Sequence, residues 1–209
     1  MDNSGVFITV EGTEGVGKST QCELLCDGLK RRFNRRVLVT REPGGTALGE
    51  SVRALLLDPD IPAMHGTAEL LLLFAARAEH LERVIRPALD DGVVVVCDRF
   101  TDATYAYQGG GRGLDQSLIA ALENLVQGEL RPDLTFILDL DVTTAVQRTA
   151  DRGDLDRFER EQADFFERVR AVYLERARSV PERAKIIDAS GDVDAVQARM
   201  LNVVAEYLR

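Results

Sequence analysis

The segment VFITVEGTEGVGKST, residues 6–20, decides the fold, because a glycine-rich loop and a Lys-Ser pair directly follow an apolar run. The run at 6–10 is short and rich in β-branched residues, which favours a buried strand. The loop has Walker A spacing, so its backbone N–H groups can surround a polyphosphate while the lysine reaches the outer phosphates and the serine hydroxyl ligates magnesium. The predicted nucleotide-binding residues are Gly12, Thr13, Glu14, Gly15, Val16, Gly17, Lys18, Ser19 and Thr20.

Length and composition bound the class of protein. With 209 residues, 45% of them hydrophobic, the chain can bury one sizeable core, so we expect a single domain over residues 1–209. The formal charge of −9 disfavours a nucleic-acid partner, because binding to a phosphate backbone normally needs a basic face. No N-terminal targeting signal is visible, and the apolar stretch 70–76 is too short to span a bilayer. We therefore expect a cytoplasmic protein with no membrane partner.

The cysteines and histidines form no recognisable catalytic pattern. Cys22 and Cys26 lie four residues apart and would share a helix face, as a metal clip or a redox pair requires, but no histidine accompanies them. Ordinary packing is the favoured interpretation of these residues and of Cys97. His65 falls in a predicted loop and His80 in a predicted helix, and neither joins a metal or triad constellation.

Short apolar segments alternate with helical patterns along the whole chain. The predicted strands are 6–10, 36–40, 93–97, 134–140 and 184–188. The predicted helices are 18–33, 46–57, 67–90, 114–128, 142–150, 160–180 and 192–208. The strands do not alternate clearly between apolar and polar residues, as expected when both faces of a sheet are covered. This order predicts a three-layer α/β fold around a five-stranded parallel sheet, with ligands beyond the carboxyl ends of the strands.

Charged residues follow two of the other predicted strands. Arg41 leads a Glu-Pro-Gly-Gly turn after the second strand, where a guanidinium could clamp a phosphate while the glycines let the ligand approach. Asp98 ends the third strand, where its carboxylate can orient a magnesium shell, and Arg99 adds a second phosphate donor. A solvated arginine and a structural Asp-Arg ion pair are the alternatives.

Two further segments suit nucleotide chemistry. Residues 103–113 combine aromatic rings and an amide with a flexible glycine run, which fits recognition of a flat base and its sugar. A short helix with packed tyrosines that ends in a glycine-rich loop is an equally good interpretation. Residues 148–159 are dense in both charges around a central glycine, as in a lid that closes over phosphates, although a solvated helix end has the same composition. The apolar helix at 67–89 can line a pocket, meet a partner subunit or simply be buried.

Together these motifs closely resemble those of the bacterial thymidylate kinases over essentially the whole chain. The resemblance rests on residues 11–20, 40–45, 98–99, 106–109 and 152–157, which occur in the order and spacing of that family. The string Arg-Glu-Pro-Gly-Gly at 41–45 is its most specific part. It implies a P-loop fold like that of nucleoside monophosphate kinases, with an acceptor-binding segment at about 41–77 and a mobile lid at about 148–160.

The resemblance also implies an activity and its participants. The expected reaction transfers the γ-phosphoryl group of ATP to dTMP, which gives dTDP and ADP on the route to dTTP, with Mg²⁺ as the cofactor. The phosphate of dTMP is largely dianionic at neutral pH, so no general base is needed. Both substrates are small molecules, and a homodimer packed through residues 67–90 and 114–128 is expected.

Family roles transfer by position. Arg41 and Arg99 would hold the acceptor phosphate, Arg77 would bond the thymine, and the Tyr107 ring would crowd the 2′ position of the sugar. The expected acceptor site comprises Glu14, Arg41, Glu42, Pro43, Arg53, Leu73, Phe74, Arg77, Arg99, Ala103, Thr104, Tyr107 and Gln108. The expected catalytic residues are Lys18, Arg99, Arg152 and Arg157, with Ser19 and Asp98 at the metal. Arg148 is a weaker lid candidate.

The chain departs from the family pattern at three positions. The aromatic platform for thymine is replaced by Leu73, with Phe74 one residue later, so either side chain could form it. Ala103 stands where many relatives have serine, and Ala150 where some have a further lid arginine. Apart from these three departures, the Walker loop has the acidic Glu14 at its third position and no arginine there, so Arg152 or Arg157 must supply the additional positive charge.

Two other functions fit parts of the sequence. A kinase for another nucleotide or for a deoxynucleoside shares the Walker loop and the Asp-Arg pair. A GTP-driven switch that binds a partner protein also has a Walker loop, but the chain lacks an Asn-Lys-x-Asp string, and the 41–45 motif would have no purpose in it.

Overall fold

The computed structural model describes residues 5–62, 64–150 and 156–208. Five strands form one parallel sheet in the order β2-β3-β1-β4-β5, and α-helices connect them. The strands are β1 (Val6–Glu11), β2 (Val37–Arg41), β3 (Val94–Asp98), β4 (Leu134–Asp139) and β5 (Ala184–Asp188). The predicted α/β fold with a five-stranded parallel sheet is therefore confirmed.

Most helices lie where the sequence pattern predicts them. They are α1 (Lys18–Phe33), α2 (Ala47–Leu57), α3 (Gly66–His80), α4 (Arg86–Asp90), α5 (Thr101–Thr104), α6 (Gln116–Gln127), α7 (Val142–Ala150), α8 (Ala163–Ser179) and α9 (Val193–Tyr207). The single helix predicted over 67–90 is divided by a π-helical turn at Leu81–Ile85, and Pro87 follows that turn. Because proline has no backbone N–H, a regular hydrogen-bond ladder cannot continue through it.

Apolar clusters cover both faces of the sheet. On one face, Ile8 and Val10 of β1 pack with Leu25 of α1 and Met200 of α9. On the other face, Phe7 packs with the π-helical turn at Leu81–Ile85. Successive residues of a strand point to opposite faces, so the apolar run of β1 supplies both clusters. The result is the three-layer arrangement that the sequence predicts.

The glycine run after the tyrosines is helical, and the prediction of a flexible loop there is wrong for residues 109–111. A π-helix extends over Tyr105–Gly111 and packs against α8. A Cβ atom on Gly110 would lie 2.7 Å from Val172, and one on Gly111 would lie 2.4 Å from the Phe165 ring. These glycines therefore allow close helix packing.

The strand registers bring the motif residues to one edge of the sheet. Val10 of β1 and Arg41 of β2 both pair with Asp98 of β3. The Walker loop follows β1 at the same edge, as expected for the carboxyl ends of parallel strands.

The three cysteines are all buried free thiols. Within the described ranges, no group of three or more His, Cys, Asp or Glu residues is arranged to hold a metal. No helix among the described residues is long and apolar enough to cross a membrane.

Candidate active site

A cavity of ≈ 240 Å³ lies at the carboxyl edge of the sheet. The Walker loop forms one end, and α3 with Phe100, Ala103 and Thr104 after β3 forms the other. Its lining residues are Glu14, Gly15, Lys18, Ser19, Arg41, Glu42, Pro43, Arg53, Leu57, Leu73, Arg77, Asp98, Arg99, Phe100, Ala103, Thr104, Tyr107, Gln108, Asp156, Phe158 and Glu159. The cavity thus unites most of the predicted nucleotide-contacting residues.

The Walker loop has a backbone that only glycine adopts easily at several positions. Gly15 and Gly17 have φ angles of 74° and 92°, and a Cβ atom on Gly15 would lie 2.1 Å from the Ala145 carbonyl oxygen. The Lys18 ammonium donates to the Thr13 carbonyl at 2.6 Å and lies 3.8 Å from the Glu14 carboxylate. Burial, followed by repulsion from Arg99, lowers the pKa of Lys18. Nearby carboxylates, Glu14 first, favour the charged form without reversing this shift, so a phosphate in the loop would add stabilisation that the protein does not supply.

Arg99 forms an internal ion pair with the Walker loop. Its backbone is left-handed, with φ at 69°, and its Nη2 atom donates to Glu14 at 2.6 Å and to the Tyr107 hydroxyl at 3.1 Å. Its Nη1 atom donates to the Gly12 carbonyl and to Tyr173. Burial raises the pKa of Glu14, but Arg99 and Lys18 outweigh that effect and bring the pKa to about 2. Glu14 is thus ionised at neutral pH and occupies the nearest cations.

Asp98 and Ser19 offer oxygen atoms suited to a magnesium ion. The Ser19 hydroxyl donates to Oδ2 of Asp98 at 3.1 Å. The other carboxylate oxygen, Oδ1, is buried and has no hydrogen-bond partner in the described part of the chain. Buried carboxylate oxygens are normally bonded, and hard oxygen ligands are what magnesium prefers, so these two residues fit the expected metal.

Positive charge is concentrated where the acceptor phosphate would lie. Burial, followed by repulsion from Arg41 and Arg99, lowers the pKa of Arg53. Arg53 donates to the Pro43 carbonyl at 3.2 Å, and Arg41 forms an ion pair with Glu50 at 2.8 Å. Arg53 is therefore a partly buried cation, repelled by Arg41 and Arg99, that a dianion would stabilise.

Arg77 is fixed at the opposite end of the cavity. Its side chain is only 2% exposed, its Nε atom donates to Glu42 at 2.7 Å, and its Nη2 atom donates to Thr104 at 3.0 Å. The guanidinium lies over the rings of Phe74 and Phe100, with 4.7 and 5.0 Å to the centroids. Its Nη1 atom has no partner among the described residues. The Nε and Nη2 atoms therefore hold the guanidinium in place, while Nη1 is left without a partner in the described part of the chain.

The remaining walls combine a few polar groups with apolar surface. Gln108 lines the cavity and donates its amide nitrogen to Glu69 at 2.8 Å. Pro43, Leu73 and Ala103 also line it, whereas Phe74 is buried outside the cavity in a cluster with Leu70, Tyr105 and Ile119. Of the two candidates for an apolar platform, the structure places Leu73 at the cavity and Phe74 beneath Arg77.

The lid residues divide between described and undescribed positions. Arg152 lies outside the described residues. Arg157 does not line the cavity; its Nη2 atom donates to Glu69 at 2.7 Å and its Nε atom to the Leu56 carbonyl at 2.7 Å. Asp156, Phe158 and Glu159 line the cavity instead. In this structure Arg157 therefore joins the segment after the undescribed residues to α2 and α3.

Several residues in or next to the site were not predicted from the sequence. Glu69 is fully buried and contacts Gln108, Arg112 and Arg157. An acid at the start of the apolar run 70–76 was the available signal for it. Phe158 forms part of the cavity wall, and it is the aromatic residue within the charged segment 148–159. Leu57 and Phe100 carry no such signal, because apolar residues next to a motif are usually core.

The fold and this cavity define the class of protein. A phosphate loop, a carboxylate-hydroxyl pair for magnesium and a separate cationic acceptor region belong to a P-loop phosphotransferase of the nucleoside monophosphate kinase type. The chain matches the family model described as thymidylate kinase over residues 10–200. The protein belongs to the thymidylate kinase family.

Individual relatives agree with that assignment. A thymidylate kinase of Pseudomonas savastanoi pv. phaseolicola is 56% identical over 205 residues, which cover 98% of this chain and 97% of the relative. A thymidylate kinase of Ectopseudomonas mendocina is 58% identical over 195 residues, 93% of this chain and 92% of the relative. Among solved structures, the thymidylate kinase of Ehrlichia chaffeensis has a TM-score of 0.79 and 36% identity, with 96% of this chain and 99% of that chain covered.

Proposed function

We propose that this protein transfers the γ-phosphoryl group of ATP to the 5′-phosphate of dTMP, which yields dTDP and ADP. The observation that carries the proposal is the cavity that joins the Walker loop to Arg77, with a cationic region between them. Such a cavity can hold a donor polyphosphate and a nucleotide acceptor at once. Holding both reactants in line supplies much of the rate enhancement in phosphoryl transfer.

Charge stabilisation is the main chemical task of the protein. The second pKa of the acceptor phosphate is roughly 6, so the phosphate is already nucleophilic at neutral pH and needs no general base. Lys18, Arg99 and the lid residues Arg152 and Arg157 would offset the negative charge of the transferring group. Ser19 and Asp98 would hold a magnesium ion, whose charge would offset that of the donor phosphates.

The acceptor is recognised at its phosphate, sugar and base. Arg41, Arg53 and Arg99 would bind the 5′-phosphate, and the ring of Tyr107 would lie against the 2′ position of the sugar. The Nη1 atom of Arg77, which is buried and has no partner among the described residues, would donate to the carbonyl at position 4 of thymine. Pro43, Leu73 and Ala103 supply apolar wall for the base, with Glu42, Phe74, Thr104 and Gln108 around them.

The proposal extends to the organisation of the chain. We place the whole chain in one kinase domain, with an acceptor-binding segment at about 41–77 and a lid at about 148–160 that excludes water when it closes. A homodimer through residues 67–90 and 114–128 is supported by exposed leucines on α3 and α6: Leu71, Leu118 and Leu125 are 52%, 49% and 79% exposed. A cytoplasmic location completes the proposal.

The test is the rate of ADP release with different acceptors. We expect turnover with dTMP to exceed that with thymidine, UMP and CMP, each assayed at saturating ATP and magnesium. The Lys18→Met variant gives the background rate, because it lacks the cation of the Walker loop. Equal rates with all acceptors would favour a kinase of broader nucleotide specificity. Nucleotide-dependent binding of a protein, with no acceptor phosphorylated, would favour a switch.

A further inference from the structure

We propose that His80 is a positioning residue for base recognition: it fixes Glu42, which in turn fixes Arg77 at the acceptor end of the cavity. The inference rests on the proposed reading of the thymine base by Arg77. His80 is completely buried in the last turn of α3 and is absent from the cavity wall. Any influence it has on the acceptor must therefore pass through its neighbours.

His80 contacts both the end of β2 and the turn that follows it at residues 42–45. Its Nδ1 atom lies 3.0 Å from Oε1 of Glu42, and its Nε2 atom lies 2.7 Å from the Thr40 hydroxyl. A Cβ atom on Gly45 would lie 2.5 Å from the same Nε2 atom. The imidazole thus fills the space beneath the turn that begins at the end of β2.

The contacts define which nitrogen carries hydrogen. A carboxylate can only accept, so Nδ1 of His80 donates to Glu42. In the neutral ring Nε2 then accepts from the Thr40 hydroxyl. Both ring nitrogens are engaged, and the ring is held by α3, β2 and the turn together. A buried hydrogen-bond chain of this kind orients its members better than any single contact could.

The series of hydrogen bonds continues from Glu42 to Arg77, the residue proposed to contact the base. Glu42 is nearly buried; it accepts from His80 at Oε1 and from Arg77 at Oε2. The Nε atom of Arg77 donates to Glu42 and Nη2 donates to Thr104, whereas Nη1 has no partner within the described ranges. If His80 no longer held Oε1, the Glu42 carboxylate could rotate and release the guanidinium plane of Arg77.

A rigid donor at this position separates thymine from cytosine. Thymine presents a carbonyl acceptor at position 4, whereas cytosine presents an amino donor there. A cytosine would therefore place two donors against each other and leave the buried Nη1 atom unpaired. Loosening the guanidinium lets it turn away from the amino group, so discrimination between the two bases should fall together with the affinity for dTMP.

The covalent structure of the side chains offers a matched pair of variants. The amide nitrogen of asparagine is attached to Cγ, as Nδ1 of histidine is, so His80→Asn can still donate to Glu42. The amide nitrogen of glutamine is one bond further out, as Nε2 is, so His80→Gln favours the Thr40 side and abandons Glu42. His65→Gln is the control, because His65 is exposed and caps the start of α3.

The experiment measures KM, kcat and the ratio of kcat/KM for dTMP over dCMP. For His80→Gln we expect KM for dTMP to rise, and the ratio to fall, by roughly tenfold, the effect of losing one charge-assisted buried hydrogen bond. KM for ATP should not change. His80→Asn should retain most of the ratio, and His65→Gln all of it. An unfolded fraction lowers all rates equally, so the ratio reports on the folded protein alone.

Three results would overturn the inference. An unchanged ratio in His80→Gln means that His80 does not position Arg77. An equal loss in His80→Asn and His80→Gln means that packing of the imidazole matters and its bond to Glu42 does not. A wild-type enzyme without preference for dTMP removes the proposed function and this inference with it, whereas a wild-type preference that survives in His80→Gln removes the inference alone.

Discussion

The two ends of the cavity differ in how their cations are held. At the acceptor end, Glu42 and Thr104 fix Arg77, and its Nη1 atom has no partner among the residues that the structure describes. At the donor end, Glu14 of the Walker loop holds Arg99, and Lys18 bonds a backbone carbonyl of its own loop. The acceptor end is organised for selection in advance, while the cations of the donor end have partners that phosphates would have to replace.

This difference follows from what each end must recognise. A base differs from another base by single donors and acceptors, so selectivity needs a donor with a fixed direction. A polyphosphate carries much charge and no base-specific pattern of donors and acceptors, so cations that can move or exchange partners are sufficient to bind it. Internal ion pairs such as Arg99 with Glu14 compensate these buried charges when no phosphate is bound. Substitutions at the donor end should therefore change turnover, and those at the acceptor end should change selectivity.

The largest expected effect separates the ends most sharply. Lys18→Met should lower kcat roughly 100- to 1000-fold, because it removes a preorganised cation from the transferring phosphate. Binding of dTMP, measured by calorimetry, should remain as in the wild type. Lys30→Met is the matched control, since Lys30 is an exposed residue of the same helix. A large loss of dTMP affinity in Lys18→Met would show that the ends are not separate.

The lid arginines should give the next largest effect. Arg152→Ala and Arg157→Ala should each lower turnover roughly tenfold or more with little change in KM for dTMP, because their charge is needed only during transfer. Arg157→Ala should also lower the free energy of unfolding by about 2 kcal/mol, because the buried Glu69 carboxylate loses one charge-assisted hydrogen bond and keeps those to Arg112 and Gln108. Steady-state kinetics and denaturant unfolding measure the two quantities.

Exposed Arg178→Ala on α8 serves as the control for these variants. Unchanged turnover in both lid variants would refute the role given to the lid. A loss of stability without any loss of turnover in Arg157→Ala would make Arg157 a structural residue that connects the lid to α3.

The smallest expected effect is a pH dependence of the free energy of unfolding that is caused by Glu11, the last residue of β1. Burial and then the Asp102 carboxylate raise the pKa of Glu11 from 4.5 to about 7, against the opposing effect of Arg99. Between those values the folded protein binds more protons than the unfolded chain, so its stability falls as pH rises. Glu11→Gln should remove a decline of roughly 1–3 kcal/mol between about pH 5 and pH 8.

Unfolding by urea at several pH values measures this decline. Glu14 provides the contrast three residues along: its pKa is about 2, so its stabilising effect is complete above pH 4.5 and is lost only as pH falls from there towards 2. An equal decline in the wild type and in Glu11→Gln would exclude Glu11 as its source.

Local sequence signals were enough to predict the sheet and the position of the Walker loop in it. The strand ending at Glu11 and the Walker loop after it are continuous in sequence, and Asp98 follows a run of valines that only a buried strand explains. The acceptor end depends on residues far apart in sequence. Glu42 meets Arg77 and His80 across 35 and 38 positions, and no local pattern encodes such a contact. His80 in particular has no motif of its own.

The prediction of a loop at the glycine run 109–111 was wrong for a related reason. Three successive glycines usually indicate a loop, since each one loses much backbone entropy in a helix. Here the need for contact with Val172 and Phe165 of α8 outweighs that cost, and the partners lie more than fifty residues away in the printed sequence. Tertiary packing overrode the local preference.

The buried thiols have a practical consequence for following the enzyme at work. Burial raises the pKa of Cys22 and of Cys97 well above the usual range, and the third thiol, Cys26, is also buried. Thiol-directed dyes react with exposed thiolates, so the folded protein should stay unlabelled until it is denatured. A cysteine introduced at exposed Arg148 could then carry a single fluorophore, and the native cysteines would not need to be replaced first.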